Sequence, residues 1–262
     1  MVNEVKSPRS FNWPFRFKAG LIHLAASIAL AIILAAVIFA LWFPGAYRSM
    51  SGGSELFALL VSVDVAIGPL ITLAIADSRK TRLHLGLDIA VVVVLQLAAL
   101  GYGLHTLSIS RPVALALEDD RFRVIAALDV YRPELPTAAP EFQRLSLTGP
   151  RLLRSLVPAD PKGKSDALKI AMQGYDVGSR PALWRPWDDK ARAEALAHAK
   201  PLAALMKRYS KGQAEFAAAI AKTRRPADKL VYIPTITFRG DWVTLLDATS
   251  GDVVGFAPFD GF

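Results

Sequence analysis

Residues 19–43 read AGLIHLAASIALAIILAAVIFALWF, twenty-five positions without a formal charge. A helix needs about 20 such residues, at about 1.5 Å each, to cross the hydrocarbon of a bilayer. The stretch begins too far from Met1 and runs too long for a cleavable signal core of about 7 to 15 residues, so it is expected to stay as an anchor. Two further stretches have spanning length. Residues 56–76 contain Asp64 and a Gly68-Pro69 pair, and residues 83–104 contain Asp88 and Gln96, with His84 at the edge.

Charge is distributed accordingly. Residues 1–110 hold 8 Lys/Arg and 5 Asp/Glu, and residues 111–262 hold 23 and 18, so the net +8 divides as +3 and +5. The apolar fraction of 53% exceeds the usual 45 to 50% because the first half is membrane-like. The second half has the charge and length of an ordinary globular domain. Intrinsic disorder is excluded by the same apolar content. A surplus of +5 over some 150 residues is too dilute for a nucleic-acid binder. With no cysteine, the chain has no disulfide framework, Cys-based zinc site, iron–sulfur cluster or thiol chemistry.

Short-loop cations set the orientation. The leader carries Lys6, Arg9, Arg16 and Lys18, the first loop only Arg48, and the second loop Arg79, Lys80 and Arg82. The N-terminus and second loop are thus expected on the cytoplasmic side, with everything beyond about His105 exported. Trp42, Phe43, Tyr47 and Tyr102 are expected at the outer interface, and Trp13, Phe15 and Phe17 at the inner one.

Polar side chains inside a membrane are costly unless paired, and they point to function or to helix register. Asp64 lies 8 residues into the second span and Gln96 lies 8 residues before the end of the third, each roughly 12 Å deep, so the two can meet. Asp88 and His23 are at similar depths near the inner side and form a second possible pair. Gly68-Pro69 is expected to kink the second span and free backbone carbonyls.

In the exported half, VALALE and RFRVIAA flank Asp119-Asp120 as a β-hairpin, with Phe122, Val124 and Ala126 alternating against Arg121, Arg123 and Ile125. Residues 131–140 hold three prolines and are irregular. Residues 151–157 are expected to make a short helix and 155–165 loops. Residues 188–200 form a helix capped by Asp188, with Ala191, Ala195 and Ala199 on one stripe and Pro201 ending it. Ser210 and Gln213 suggest a capping box for residues 211–222, with Phe216 and Ile220 one turn apart. Three strands follow in LVYIPTITFR, DWVTLLDA and DVVGFAP, an antiparallel meander. Strands at both ends with helices between them imply one shared sheet in an α+β domain.

Catalytic motifs fail on inspection. His198 is the sole histidine of this half and sits in an Ala/Leu/Lys helix. Gly163-Lys164-Ser165 lacks the earlier glycine of a phosphate loop, where Pro158 stands. Gly101-Tyr102-Gly103 lacks the third glycine of a dinucleotide loop. Arg239-Gly240-Asp241 is a turn between strands, Asp119-Asp120 and Asp188-Asp189 suit a turn and a cap, and Lys222–Arg225 is a basic helix end. No enzyme, catalytic residue, cofactor or metal is expected.

Specific motifs go further than polarity. Phe43-Pro44-Gly45, Gly52-Gly53 with Leu56-Phe57, VDVAIGPLITL (63–73), LDIAVVVVLQLAALGYG (87–103), RPVALALEDDRFRV (111–124) and WVTLLDATSGDVVGF (242–256) resemble the type IV pilin accessory proteins of bacteria. The resemblance covers most of the chain and is loosest over about 130–225. It implies a protein that stays in the inner membrane, which agrees with the cytoplasmic leader (1–18), the three transmembrane helices within 19–105 (about 19–43, 56–76 and 83–104) and the periplasmic α+β domain (106–262) with an antiparallel sheet expected from the residues. It implies a non-enzymatic role in stabilising or assembling a cognate type IV pilin, the major subunit, with contacts to the pilus assembly machinery and membrane lipid and none to nucleic acid. The chain is not a pilin itself, since Ala25 stands where a prepilin-like segment after Gly20 places glutamate. His23, Asp64, Gly68, Pro69, Asp88 and Gln96 are the expected register or partner residues. The rival classes are a membrane-tethered sensor, for which the cytoplasmic segments are too small, and a pilin-modifying enzyme, which needs clustered acids or histidines in the outward loops.

Overall fold

The computed structural model describes residues 12–262, so Lys6 and Arg9 of the leader lie outside the described residues. Two compact units emerge. One comprises the chain up to Val37 with Glu55–Thr106, and the other comprises Ile38–Ser54 with Leu107–Phe262.

The first unit is helical. Helix α1 spans Trp13–Val37 and continues as a π turn over Ile38–Trp42. After the short α2 (Tyr47–Met50), α3 (Gly53–Ser62), a π turn (Val63–Ile67) and α4 (Gly68–Ile75) form one apolar rod, and α5 covers Arg82–Ser110. Among the described residues, three helices are long and apolar enough to cross a membrane: Trp13–Trp42, Gly53–Ile75 and Arg82–Ser110. The first starts six residues earlier, and the third ends six residues later, than charge-free length alone suggests. Helices tolerate Arg16, Lys18, Arg82 and other polar residues in their end turns, so hydropathy marks the apolar core and not the helix ends. Helix α1 packs on α4 at Gly20, where an added Cβ would come within 3.5 Å of the Pro69 carbonyl oxygen. At the other end of that contact, Arg16 donates to the Ala74 carbonyl at 3.0 Å.

The second unit is an α+β domain around one sheet: β1 (Pro112–Glu118), β2 (Arg121–Ala126), β3 (Arg151–Ser155), β4 (Trp184–Pro186), β5 (Lys200–Pro201), β6 (Leu230–Ile236), β7 (Trp242–Asp247) and β8 (Val253–Ala257). The order is β4-β3-β1-β2-β6-β7-β8, with β5 pairing β6. The hairpin β1–β2 turns at Asp119, whose φ of 55° suits an aspartate turn, and the C-terminal meander is antiparallel. The sheet as a whole is mixed and not antiparallel, because β1 pairs β3, and β2 pairs β6, in parallel. Those two pairings join segments far apart in sequence, which local turn signals cannot reveal.

Strand β1 is buried at every position, with Ala114 and Ala116 in one core cluster and Leu115 and Leu117 in another. Both faces of the sheet centre are therefore covered. For the same reason Ile125, placed by alternation with the arginines of β2, is fully buried. Residues 151–157 contain strand β3 and not a helix, since their apolar residues complete the sheet beside β1. Helix α6 (Pro161–Ala171) arises where loops were expected, with Asp160 capping the Gly163 amide at 2.7 Å and proline in the first turn, where its missing N–H costs nothing. Helix α7 (Asp189–His198) is capped by Asp188, which accepts from the Ala191 amide at 2.9 Å, and buries Ala191 and Ala195. Helices α8 (Leu202–Arg208) and α9 (Gln213–Thr223) follow. No capping box forms at α9: its N-cap is Gly212, two residues past Ser210, because a Tyr209–Gly212 turn delays the helix start. Phe216 is fully buried and stacks on Phe259 at 3.8 Å.

Candidate functional site

The second apolar rod is built around Pro69. Lacking an N–H, proline leaves an upstream carbonyl without its helical donor, and the π turn Val63–Ile67 lies directly before it. Asp64 sits in that π turn, at a recurrent location for functional groups. From α5, Gln96 donates its side-chain amide to Asp64 Oδ1 at 2.7 Å. Gly68 makes room for this bond, since a Cβ there would fall 2.1 Å from Gln96 Nε2 and 3.2 Å from His23 Nε2. One turn further, Thr72 Oγ1 meets His23 Nδ1 of α1 at 2.6 Å. Ser27 and Thr72 are both 5% exposed. The first helical unit thus contains one polar level linking all three helices. Each such bond inside a membrane is worth about 1 kcal/mol.

Asp88 does not join this level. Its carboxylate pairs with Lys80 at 2.5 Å, and Lys80 also donates to the Ile75 carbonyl. The expected Asp88–His23 pair fails because of the helix starts. Measured from Trp13, His23 is ten residues in, roughly 15 Å, whereas Asp88 is six residues from Arg82, roughly 9 Å. Thr72 and Lys80 are partners the residue types alone did not single out. The signal for Thr72 was present: Asp64, Gly68 and Thr72 recur every four residues on one helix face.

Two grooves border both Asp64 and Gln96. One of about 530 Å³ lies between the first and third helices, lined by His23, Ala26, Asp64, Thr72, Val93 and Gln96. Another of about 300 Å³ lies between the second and third, with Leu56, Leu60, Asp64, Gln96 and Gly103 among its walls. This arrangement can hold a helix in register and offer carboxylate and amide groups to a neighbour.

In the globular unit, Ile38–Ser54 is structural. Phe43 is fully buried against Gly53, where an added Cβ would lie 2.6 Å from the ring. Tyr47 meets Phe256 edge-on at 5.2 Å, and burial pushes its phenol pKa well above the usual range. Met50 is fully buried, and its carbonyl accepts from the Arg239 amide at 2.9 Å. Phe43 is therefore a core residue of this unit and not an interface anchor, and Tyr47 packs, partly buried, on its sheet. Gly52, at φ 70°, lets the chain turn against Phe238 and Arg239. The Arg239-Gly240-Asp241 turn accordingly docks the 38–54 segment, and motifs from residues 43–53 and 242–256 meet in one place. Beside them lies a groove of about 750 Å³ bordered by Tyr47, Arg48, Glu215, Lys222, Trp242 and Phe256.

The remaining candidates have structural partners. His198 stands 3.8 Å from Asp119 and is about 39% exposed. The Gly163 amide, where a phosphate would have to bind, is occupied by the Asp160 carboxylate. Arg225 pairs with Asp247 at 2.8 Å, and the Thr249 and Ser250 amides bind the same carboxylate, so its pKa is lowered, first by the amides and then by the guanidinium. Among the described residues, no group of three or more His, Asp or Glu side chains converges as a metal site requires.

A family model described as fimbrial assembly protein FimB matches residues 11–52, the first helix and the docked segment. The fimbrial assembly protein of serogroup I of Dichelobacter nodosus is 31% identical over 235 residues, 89% of this chain and 91% of that protein. The serogroup E1 protein of the same organism matches at the same identity and coverage, and the protein of serogroups C1 and C2 is 34% identical over 124 residues, 47% of this chain and 95% of its own length. No solved structure matches. Similarity spanning both units, at motifs that the fold brings together, shows that the chain belongs to the fimbrial assembly protein family, a type IV pilus accessory family.

Proposed function

We propose that this chain is a non-enzymatic accessory factor of type IV pilus assembly that sits in the bacterial inner membrane with its N-terminus cytoplasmic and its globular unit periplasmic, and that it binds a pilin. The membrane helix of the pilin would lie in a groove beside the polar level, and the pilin head against the outer sheet. The observation that carries this reading is the Asp64–Gln96 bond bordering both grooves, a polar group kept at membrane depth although apolar residues would pack there at less cost. The names of the relatives support the assembly role. Arg79, Lys80 and Arg82 in the short second loop support the orientation.

Asp64→Ala tests it. The variant is expected at normal membrane levels with reduced piliation and reduced co-purification of pilin. Normal piliation at normal levels would overturn the proposal.

A further inference from the structure

The strand register of the globular unit places several loops at one end. Strand β1 starts at Pro112, directly after the last residues of α5. Its parallel neighbour β3 starts opposite Ala114, so residues 143–150 lie at that same end. Strand β2 runs the opposite way and ends there, and the Leu128 amide donates to the Ile109 carbonyl at 2.9 Å. Strand β6 is parallel to β2, with Ile236 opposite Arg123, so the turn after Ile236 also reaches this end, where Arg239 binds Met50. Gly149 lies against Pro44. This is therefore the end at which Ile38–Trp42 and Leu107–Ser110 enter the unit, and Gly52, packed against Phe238 and Arg239, brings the third connection, at Ser54, to it as well.

Each of the three loops presents one large apolar side chain outward. Leu128 is 52% exposed, Leu147 64% and Phe238 77%. Scattered apolar residues on a surface need no explanation, but three on separate loops at the one end where membrane-length helices leave the domain do. The Arg239 guanidinium lies over the Phe238 ring at 5.5 Å, an apolar body with a cationic head, and Arg48 and Arg144 are exposed on the neighbouring segments with Asp129 and Asp241. Apolar tips at an end that carries three exposed arginines, interspersed with two aspartates, pair apolar groups with cationic heads that can reach phosphates, which suits a membrane–water interface.

We propose that Leu128, Leu147 and Phe238 dip into the phospholipid interface and seat the globular unit on the bilayer from which its helices emerge. The inference rests on the reading that those helices cross a membrane, and it assigns the loops a lipid partner. The seat holds the unit on the bilayer through three separate contacts beyond its three covalent connections to the helices.

The native chain lacks cysteine, so single labels report unambiguously. Leu128→Cys, Leu147→Cys and Phe238→Cys, each in the full chain, would be spin-labelled and reconstituted in phosphatidylethanolamine–phosphatidylglycerol vesicles. Collision with oxygen is then compared with collision with a water-soluble nickel complex. Met172→Cys is the control: Met172 is 82% exposed and follows α6, beyond the opposite end of β3. Oxygen preference several-fold above that of position 172 at all three tips supports the seat. Water-like collision at the tips in fully incorporated protein overturns the seat alone and leaves the pilus reading standing. Low collision with both probes overturns it in favour of a protein covering these loops. Failure of the chain to enter the bilayer overturns both the seat and the membrane reading.

Discussion

Val94 in the helical unit is 64% exposed, whereas Val113 in the globular unit is 2% exposed. The same side chain has opposite roles because the two units order themselves differently. In the helical unit apolar residues such as Ile32, Leu70 and Val94 face outward, and the contacts that link the helices include polar and small groups: His23 with Thr72, Gln96 with Asp64, and Gly20 and Gly68 at close approach. In the globular unit apolar burial on both faces of β1 does the work, and polar groups act at caps and turns or as buried and partly buried pairs such as Thr235 with Thr244 and Glu118 with Arg123. A charge-based reading of the sequence thus finds the interior of one unit and the exterior of the other.

Substitutions can break or sharpen this contrast. The largest effect is expected from Phe43→Ala, which empties a fully buried site of the globular unit and should cost about 3 to 5 kcal/mol. Unfolding of the detergent-solubilised chain, followed by near-ultraviolet circular dichroism, measures it. An effect below 1 kcal/mol, as expected for an exposed ring, would return Phe43 to the membrane boundary.

Gly68→Ala should act next most strongly, by about 1 to 3 kcal/mol, because its methyl group displaces the Gln96 amide. Cysteine crosslinking between the second and third helices should fall with it. Unchanged crosslinking would show that Gln96 can bond Asp64 from elsewhere. Gln96→Leu is expected to cost only about 1 kcal/mol, the value of one hydrogen bond inside the membrane. Detection of the same loss in Gln96→Leu and Asp64→Leu, without further loss in the double variant, confirms the pairing.

The smallest effect is a pH dependence. The Asp247 pKa is lowered by the Thr249 and Ser250 amides and by Arg225, so its contribution to stability is full above the ordinary carboxylate value of about 4 and is lost as pH falls through the lowered folded-state value. Asp247→Asn should therefore flatten the acid limb of the globular unit's stability curve. An unchanged acid limb would show that other carboxylates set it.

Much of this was legible in residue types. The three apolar helices, the Asp119-Asp120 hairpin, the Asp188 cap, the C-terminal meander and the depth match of Asp64 with Gln96 all follow from local spacing. The parallel β1–β3 and β2–β6 pairings were not legible, because nothing near Leu153 names Ala116 as its neighbour. Nor was the partner of His23: its depth depended on a helix start at Trp13 that charge counting placed six residues too late. The role of Phe43 and Tyr47 was hidden for a related reason, since an aromatic residue after an apolar helix reads as an interface anchor until the sheet it packs on is known.

Composition and periodicity by themselves determined that this chain has an apolar helical half and a charged α+β half, because burial in lipid and burial in a protein core demand different residue patterns over many positions. Tertiary structure alone decided that residues 38–54 complete the globular core and that Gly68 stands where it does to admit Gln96. Both are contacts between segments distant in sequence, fixed by close packing, and a linear pattern carries no distance between them.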